Sequence, residues 1–301
     1  MENGTDPGIN QTRAPDPSWL AAMPAVFVLV WSTGFVGARM GSPHSEPFTF
    51  LFVRFAIATA LFAAVCLILR APWPKTGVEF RQTIVGGLLV HGMHLGGVFW
   101  AIHAGVATGT VAVIVGIQPL LTSTLAGPYL GERVSRRQWL GLTTGLAGIA
   151  LVVGDSIAVS ADQGPGMAAA VLALLGLSFG TLYQKRHAGS PYLRTGSTIQ
   201  LAAATLLMLP LALLFETGEI NWTGEFVFAM AWLVLVLSLG GFTLFYFLVR
   251  RGAAARTASL FYLVPPLVAV EAWLLFGETI TVTTLMGMGL AALAVALVTK
   301  G

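Results

Sequence analysis

Charge is what this chain has least of. Charged residues make up 10% of its 301 positions, against about a quarter in an ordinary soluble domain. With 56% hydrophobic residues there is too little polar surface to clothe a globule in water. Cysteine is nearly absent: Cys66 stands alone, which excludes an intrachain disulfide and a cysteine-rich metal site. Glycine (35) and proline (15) are too sparse and aperiodic for a collagen-like chain. The net charge of +3 does not mark a nucleic-acid binder, because the basic residues fall in small clusters between apolar runs. What remains is long apolar sequence, and it implies an all-α polytopic membrane protein whose partner is the lipid bilayer.

A membrane-spanning helix needs about 20 mostly apolar residues. Ten stretches meet that need: Trp19 to Gly37, Phe48 to Leu69, Phe80 to Ile102, Val106 to Leu130, Gln138 to Gly154, Gly166 to Gln184, Thr195 to Phe215, Glu225 to Val249, Thr257 to Phe276 and Val282 to Thr299. Residues 1–18 are polar and read as a disordered cytoplasmic tail. They lack the positive start and small-residue cleavage site of a signal peptide. Basic residues set the orientation, since cytoplasmic loops carry the excess of Lys and Arg. With the amino terminus inside, four inner loops carry three each: Arg70, Lys75 and Arg81; Arg133, Arg136 and Arg137; Lys185, Arg186 and Arg194; Arg250, Arg251 and Arg256. With Arg13 and Lys300, these are 14 of the 16 basic residues, so both termini are expected in the cytoplasm. In a prokaryote the expected location is the cytoplasmic (inner) membrane.

The halves align without gaps at an offset of 146 residues. Ser32 and Gly34 fall on Ser178 and Gly180, Phe99-Trp100 on Phe245-Tyr246, Pro119 on Pro265, Gly131-Glu132 on Gly277-Glu278, and Gly141 on Gly287. Residues 19–154 and 166–300 thus read as two copies of a five-span unit. An odd number of spans inverts the second copy relative to the first. Inverted repeats place a substrate site at their interface near the bilayer midplane, which suits alternating access.

Several of these residues also resemble a known family. Trp31-Ser32-Thr33-Gly34 in the first span, Glu46-Pro47 followed by Arg54-Phe55, and Gln118-Pro119 with Gly131-Glu132 look like the drug/metabolite transporter superfamily, EamA type; Pro265 and Gly277-Glu278 repeat the last pattern. The resemblance implies ten helices in two inverted five-helix repeats around a central cavity, and transport of small metabolites such as amino acids, often as efflux. The superfamily also holds sugar-phosphate, nucleotide-sugar and cationic-drug carriers. Its small cation exporters use a glutamate in the first helix, whereas Trp19 to Gly37 contains no acidic residue.

Ionisable groups inside a span are costly, at least about 2.5–3.5 kcal/mol at the helix centre on insertion scales, and are candidates for function. Arg54 lies about six residues, roughly 9 Å, below the outer end of the second span. Glu271 lies at nearly the same depth in the ninth. The two are expected to face a shared cavity, either as a static ion pair or as anchors for a substrate carboxylate or phosphate on Arg54 and an ammonium or proton on Glu271. His91 and His94, three apart, are expected on one helical face, where a hydrogen-bonded structural role, cavity lining and proton exchange all fit. Two histidines lack the further ligands of a zinc site, so no metal or other cofactor is expected.

Pro119, after Gln118, and Pro265 free backbone carbonyls in mid-span, which points to hinges or cavity lining. Ser32, Gly34, Ser178 and Gly180 offer small polar surface there, with the two glycines as hinge candidates. Trp100, Tyr246 and Tyr262 suit stacking or cation–π walls, or interfacial anchors. Gly141, Gly145 and Gly148 in span five, and Gly287 and Gly289 in span ten, permit close helix contact, within the chain or in a homodimer. Ser135 and Gln138 fit a capping box, and Glu132 and Glu278 are placed to favour nearby helix N-termini.

A secondary transporter of small polar metabolites is the function these features favour. It is not an enzyme and, without a G-x-x-x-x-G-K-[ST] loop, binds no ATP itself. An intramembrane enzyme using His91, His94 and Glu271 is the alternative, disfavoured by the absence of G-x-S-x-G and H-E-x-x-H. A non-transporting scaffold leaves the buried charges without a purpose.

Overall fold

The apolar stretches fold as helices in the computed structural model, which describes residues 18–106, 108–152, 163–187, 193–277 and 279–300. The helices are α1 (Ser18–Gly41), α2 (Pro47–Ile68), α3 (Gly77–Gly87), α4 (Gly96–His103), α5 (Thr108–Gly116), α6 (Gln118–Leu130), α7 (Arg136–Val152), α8 (Gly164–Arg186), α9 (Leu193–Phe215), α10 (Gly224–Trp232), α11 (Phe242–Arg251), α12 (Ala254–Ser259), α13 (Val264–Phe276) and α14 (Val282–Thr299). Ser18, placed in the tail on sequence grounds, is the first residue of α1. The rest of that tail, the outer-loop residues Asp155 and Asp162, and Glu278 lie outside the described residues.

Nine helical runs among the described residues, 18 to 28 residues long, are long and apolar enough to cross a bilayer. At 1.5 Å per residue they reach about 27 to 42 Å, against a hydrocarbon core of about 30 Å. Their outward faces are apolar too. Leu206, Leu213 and Leu214 are each more than 70% exposed, a surface that lipid matches and water does not. The protein is an integral membrane protein. The remaining expected span, the fifth, corresponds to α7, which is described over 17 residues and falls outside the nine.

Local sequence explains where helices start and stop. Thr76 and Glu79 form a capping box at α3, with Glu79 N–H donating to Thr76 Oγ1 at 3.2 Å and Thr76 N–H to Glu79 Oε2 at 3.2 Å. Ser135 and Gln138 do the same before α7, at 2.9 and 3.2 Å. Gly131 and Gly277, offset by 146, end α6 and α13 in the left-handed region, at φ 72° and 68°. A residue with a Cβ is strained there.

Four expected spans depart from continuous α-helix. Val106 to Leu130 breaks at Ile117, so that Pro119 falls in the first turn of α6. The ninth span carries a 3₁₀ turn, Leu260–Leu263, so that Pro265 and Pro266 fall in the first turn of α13. Proline is tolerated in a first turn because its missing N–H has no partner to lose there. Between α3 and α4, and again between α10 and α11, the chain widens into π-helix at Leu88–Leu95 and Leu233–Gly241. Such i→i+5 turns are rare and concentrate at functional sites.

α2 packs along α9, and α7 along α14. The α7–α14 seam is a glycine contact: a Cβ on Gly287 would lie 2.5 Å from the carbonyl oxygen of Gly148, and one on Gly141 would lie 2.9 Å from that of Ala294. The glycines of spans five and ten thus bring these two helices of one chain together. Gly289, by contrast, has open space where its Cβ would be.

Candidate functional site

A cavity of about 280 Å³ runs down between the helices. At its mouth stand Ser42 and His103, both exposed, on the face that carries the α1–α2 connection. Its walls are apolar, with the rings of Trp31, Phe35, Phe50, Phe99, Phe242 and Phe261 set among aliphatic side chains, and its polar depth is formed by Arg54, His94 and Gln118. Arg54 sits seven residues into α2, roughly 10 Å along the helix, and is 1% exposed.

The second π segment meets Arg54. Ser238 lies on it, and Arg54 Nε donates to Ser238 Oγ at 3.2 Å. Arg54 Nη2 is buried without a hydrogen-bond partner, and no carboxylate pairs with the guanidinium among the described residues. Gln118 is anchored the same way. Its Nε2 bonds Thr122 Oγ1 at 2.9 Å, one turn along α6, while Oε1 is buried and unpartnered. Buried polar groups are nearly always satisfied, so two open valences beside one cavity point to a ligand.

Arg54 and Glu271 are not brought together. Glu271 accepts at Oε1 from Ser32 Oγ at 2.6 Å, in the seam between α1 and α13, and it does not line the cavity. The shared cavity expected for the pair is therefore not formed: an ionised or neutral carboxyl finds a hydroxyl on the adjacent helix, and Arg54 finds one on another. Ser32 also donates to Leu29 O at 2.8 Å. Ser178, its counterpart in the other half, is fully buried with no partner for its hydroxyl.

His91 and His94 also part company. Both lie in the first π segment, whose wider turn moves residues three apart off a common face. His91 Nε2 meets Tyr246 OH at 2.8 Å and its ring packs 4.3 Å from that of Phe242. His94 Nδ1 lies 3.2 Å from Ala173 O, and only His94 of the two lines the cavity. Among the described residues no cluster of three His, Cys, Asp or Glu groups could hold a metal.

The remaining candidates divide by position. Pro265 and Gly34 line the cavity; Pro119 is buried beside Gln118. Gly34 and Gly180 lie inside uninterrupted helices, where a Cβ would approach Leu237 Cδ2 and Val90 Cγ2 to 2.5 Å. They are sites of close packing rather than helix breaks. Trp100 stacks on Phe48 with ring centres 5.3 Å apart, away from the cavity lining. Tyr262 OH donates to Leu142 O at 2.8 Å across the α7 seam. Tyr246 lines a second, smaller polar recess with Glu79, Gln184, Gln200 and Arg250.

Two features escaped sequence reasoning. Ser238 is one hydroxyl in the apolar run Leu233–Gly241, and that isolation was its signal. Glu216, which no sequence motif marks, closes the α2 N-terminus: its carboxylate accepts from Phe48 N–H at 2.7 Å, Thr49 N–H at 2.6 Å and Thr49 Oγ1 at 2.8 Å. Glu46 answers it by accepting from Thr217 N–H and Oγ1, both at 2.7 Å.

The EamA-like transporter family profile matches the chain twice, over residues 18–154 and 164–300. The chain belongs to the EamA-like transporter family. The start and end of the two matches are each 146 residues apart, the same offset that relates the two halves. This EamA-like chain is 25% identical over 280 residues to an "Uncharacterized transporter" of Archaeoglobus fulgidus, covering 92% of this chain and 97% of the relative. It is 27% identical over 282 residues to the "Uncharacterized inner membrane transporter YedA" of Escherichia coli K12, covering 92% and 90%. A "Probable amino-acid metabolite efflux pump" of Salmonella typhimurium is 24% identical over 270 residues, covering 86% and 88%. A solved crystal structure shares the fold, with a TM-score of 0.78 at 21% identity over 95% of this chain and 98% of the other.

Proposed function

We propose that this protein is a secondary transporter that moves small polar metabolites, amino acids or related compounds, outward across the cytoplasmic membrane by alternating access. The observation that carries this reading is the cavity that descends from exposed Ser42 and His103 to Arg54 and Gln118, both buried with an open hydrogen-bonding valence. Desolvating a cation at membrane depth and leaving it unpaired is costly, and a solute that binds there offsets that cost.

Two inverted five-helix units related at the 146-residue offset would supply the two exchanging states. Family matches of equal length, glycine caps at Gly131 and Gly277, and the paired π segments support that arrangement. Basic residues clustered on and beside the connections after α2, α6, α8 and α11 support cytoplasmic termini, so that the cavity mouth faces outward. The efflux pump among the relatives supports the solute class and direction. Without an ATP-binding loop, the driving force is a solute or ion gradient, and no covalent chemistry is involved.

Right-side-out and inside-out vesicles containing the protein should accumulate radiolabelled solute with opposite preference. The labelled compound should be recovered unchanged. Chemical conversion of the solute, or no flux of any metabolite that cells overproducing the protein release into their medium, would sink the reading.

A further inference from the structure

The charge inventory of the cavity is one-sided. Arg54 is its buried cation, and no Asp or Glu is among the described residues that line it. Two carboxylates of the surrounding helices and loops lie off its lining: Glu271 Oε1 accepts from Ser32 while Oε2 is buried and unpartnered, and Glu216 binds the start of α2. Arg54 Nη2 is free, while Nε is held by Ser238, so the guanidinium offers a fixed donor edge. Such a charged N–H donor suits a carboxylate, and arginine stays protonated even when buried.

Gln118 does not discriminate charge. Its amide can present either oxygen or nitrogen to the cavity, because the Thr122 hydroxyl both donates and accepts. The apolar walls include the rings of Trp31, Phe35, Phe50, Phe99, Phe242 and Phe261 among aliphatic side chains. Aromatic faces attract cations weakly, whereas an ammonium carried close to Arg54 meets like charge at low dielectric with no carboxylate to offset it. In a zwitterion the carboxylate would be held and the ammonium penalised. A carboxylate on a purely apolar body meets neither conflict.

We propose that this cavity selects monovalent organic anions, a single carboxylate on an apolar, ring-sized body with no ammonium group, over the corresponding zwitterions and cations. Arg54 Nη2 binds the carboxylate and the aromatic walls bury the body. This selection rests on the carrier reading of the same cavity and shifts its solute class from amino acids themselves to related carboxylates that lack the ammonium group.

Three probes share one phenyl ring and differ in charge: 3-phenylpropionate, phenylalanine and phenethylamine. The full chain, purified and reconstituted in liposomes, should take up 3-phenylpropionate saturably, with a half-saturating concentration at least tenfold below that of phenylalanine, and phenethylamine should not compete. Calorimetry on the detergent-solubilised protein should give the same order of binding. Arg54→Gln should raise the 3-phenylpropionate value at least tenfold and remove the preference, while Arg54→Lys should keep the preference at reduced affinity. Uptake of phenylalanine equal to or better than 3-phenylpropionate overturns the selection and leaves the carrier reading standing. Binding of 3-phenylpropionate in that order without flux of any probe upholds the anion site and overturns the carrier reading. Neither flux nor binding overturns both.

Discussion

Ser238 holds Arg54. The serine hydroxyl receives Arg54 Nε at 3.2 Å from a π-helical turn packed against α2. That bond fixes the guanidinium at the cavity lining and leaves Nη2 buried without a partner. A hydrogen bond to a charged group contributes about 1.5–3 kcal/mol, and 1.4 kcal/mol is about a factor of ten. Ser238→Ala should therefore raise the half-saturating solute concentration roughly tenfold with the maximal rate little changed. Ser238→Thr, which keeps the hydroxyl, should restore most of it. Vesicle uptake kinetics check the split, and an unchanged half-saturating concentration in Ser238→Ala would remove Ser238 from the positioning of Arg54.

Tyr246 and His91 form a buried pair at 2.8 Å, and the second ring nitrogen of His91, Nδ1, has no partner. Tyr246→Phe keeps the ring and its packing but leaves the imidazole with no hydrogen bond at all. An unsatisfied buried polar group costs about 1–3 kcal/mol. The variant should unfold at a lower temperature in detergent, with solute binding at Arg54 retained, because Tyr246 does not line that cavity. A midpoint equal to that of the parent protein would show that the pair contributes no stability.

How much of this was legible in the sequence depends on the length scale of the signal. Spans are written in 20-residue apolar runs, and the offset linking Pro119 to Pro265 and Gly131 to Gly277 is written in identities, so both survive any uncertainty in packing. Arg54 was legible because a cation in an apolar run is conspicuous. Its partner was not: Glu271 matched it in depth along a helix axis, but azimuth decides contact, and depth carries no information about azimuth. The two histidines failed for a related reason. Their common face assumed α-helical winding, and the π turn at Leu88–Leu95 alters it. The reach of Glu216 to the amides of Phe48 and Thr49 joins residues 167 and 168 positions apart, a relation that no local pattern encodes.

Gly287 and Gly289 lie on the same helix two residues apart and face different surroundings. A methyl group on Gly287 would press on backbone atoms, 2.5 Å from Gly148 O and 2.8 Å from Val152 N, which cannot swing aside. One on Gly289 meets nothing within 4 Å. Gly287→Ala should force α7 and α14 apart and cost on the order of 1–3 kcal/mol, visible as lowered yield and thermal midpoint. Gly289→Ala should be neutral or slightly stabilising, since alanine is the better helix former. Equal behaviour of the two variants would refute the close α7–α14 seam.

Glu46 and Glu216 reach past one another at the cavity-mouth face, each carboxylate accepting from the segment that carries the other. The hydroxyl of Thr217, with the N–H groups of Thr217 and Gly218, holds the Glu46 carboxyl below the usual carboxylate range. A carboxyl whose folded-state value is depressed adds stability above its ordinary pKa, about 4.3, and loses that contribution as the pH falls through the lower, folded value. The wild-type thermal midpoint should therefore drop between pH 6 and pH 3 by more than that of Glu46→Gln, which carries no titrating group at this position. The difference should be small, because Glu46 is close to solvent and screened, and it should shrink in high salt. Parallel pH profiles for the two proteins would mean that the link between the start of α2 and the end of α9 draws nothing from the charge of Glu46.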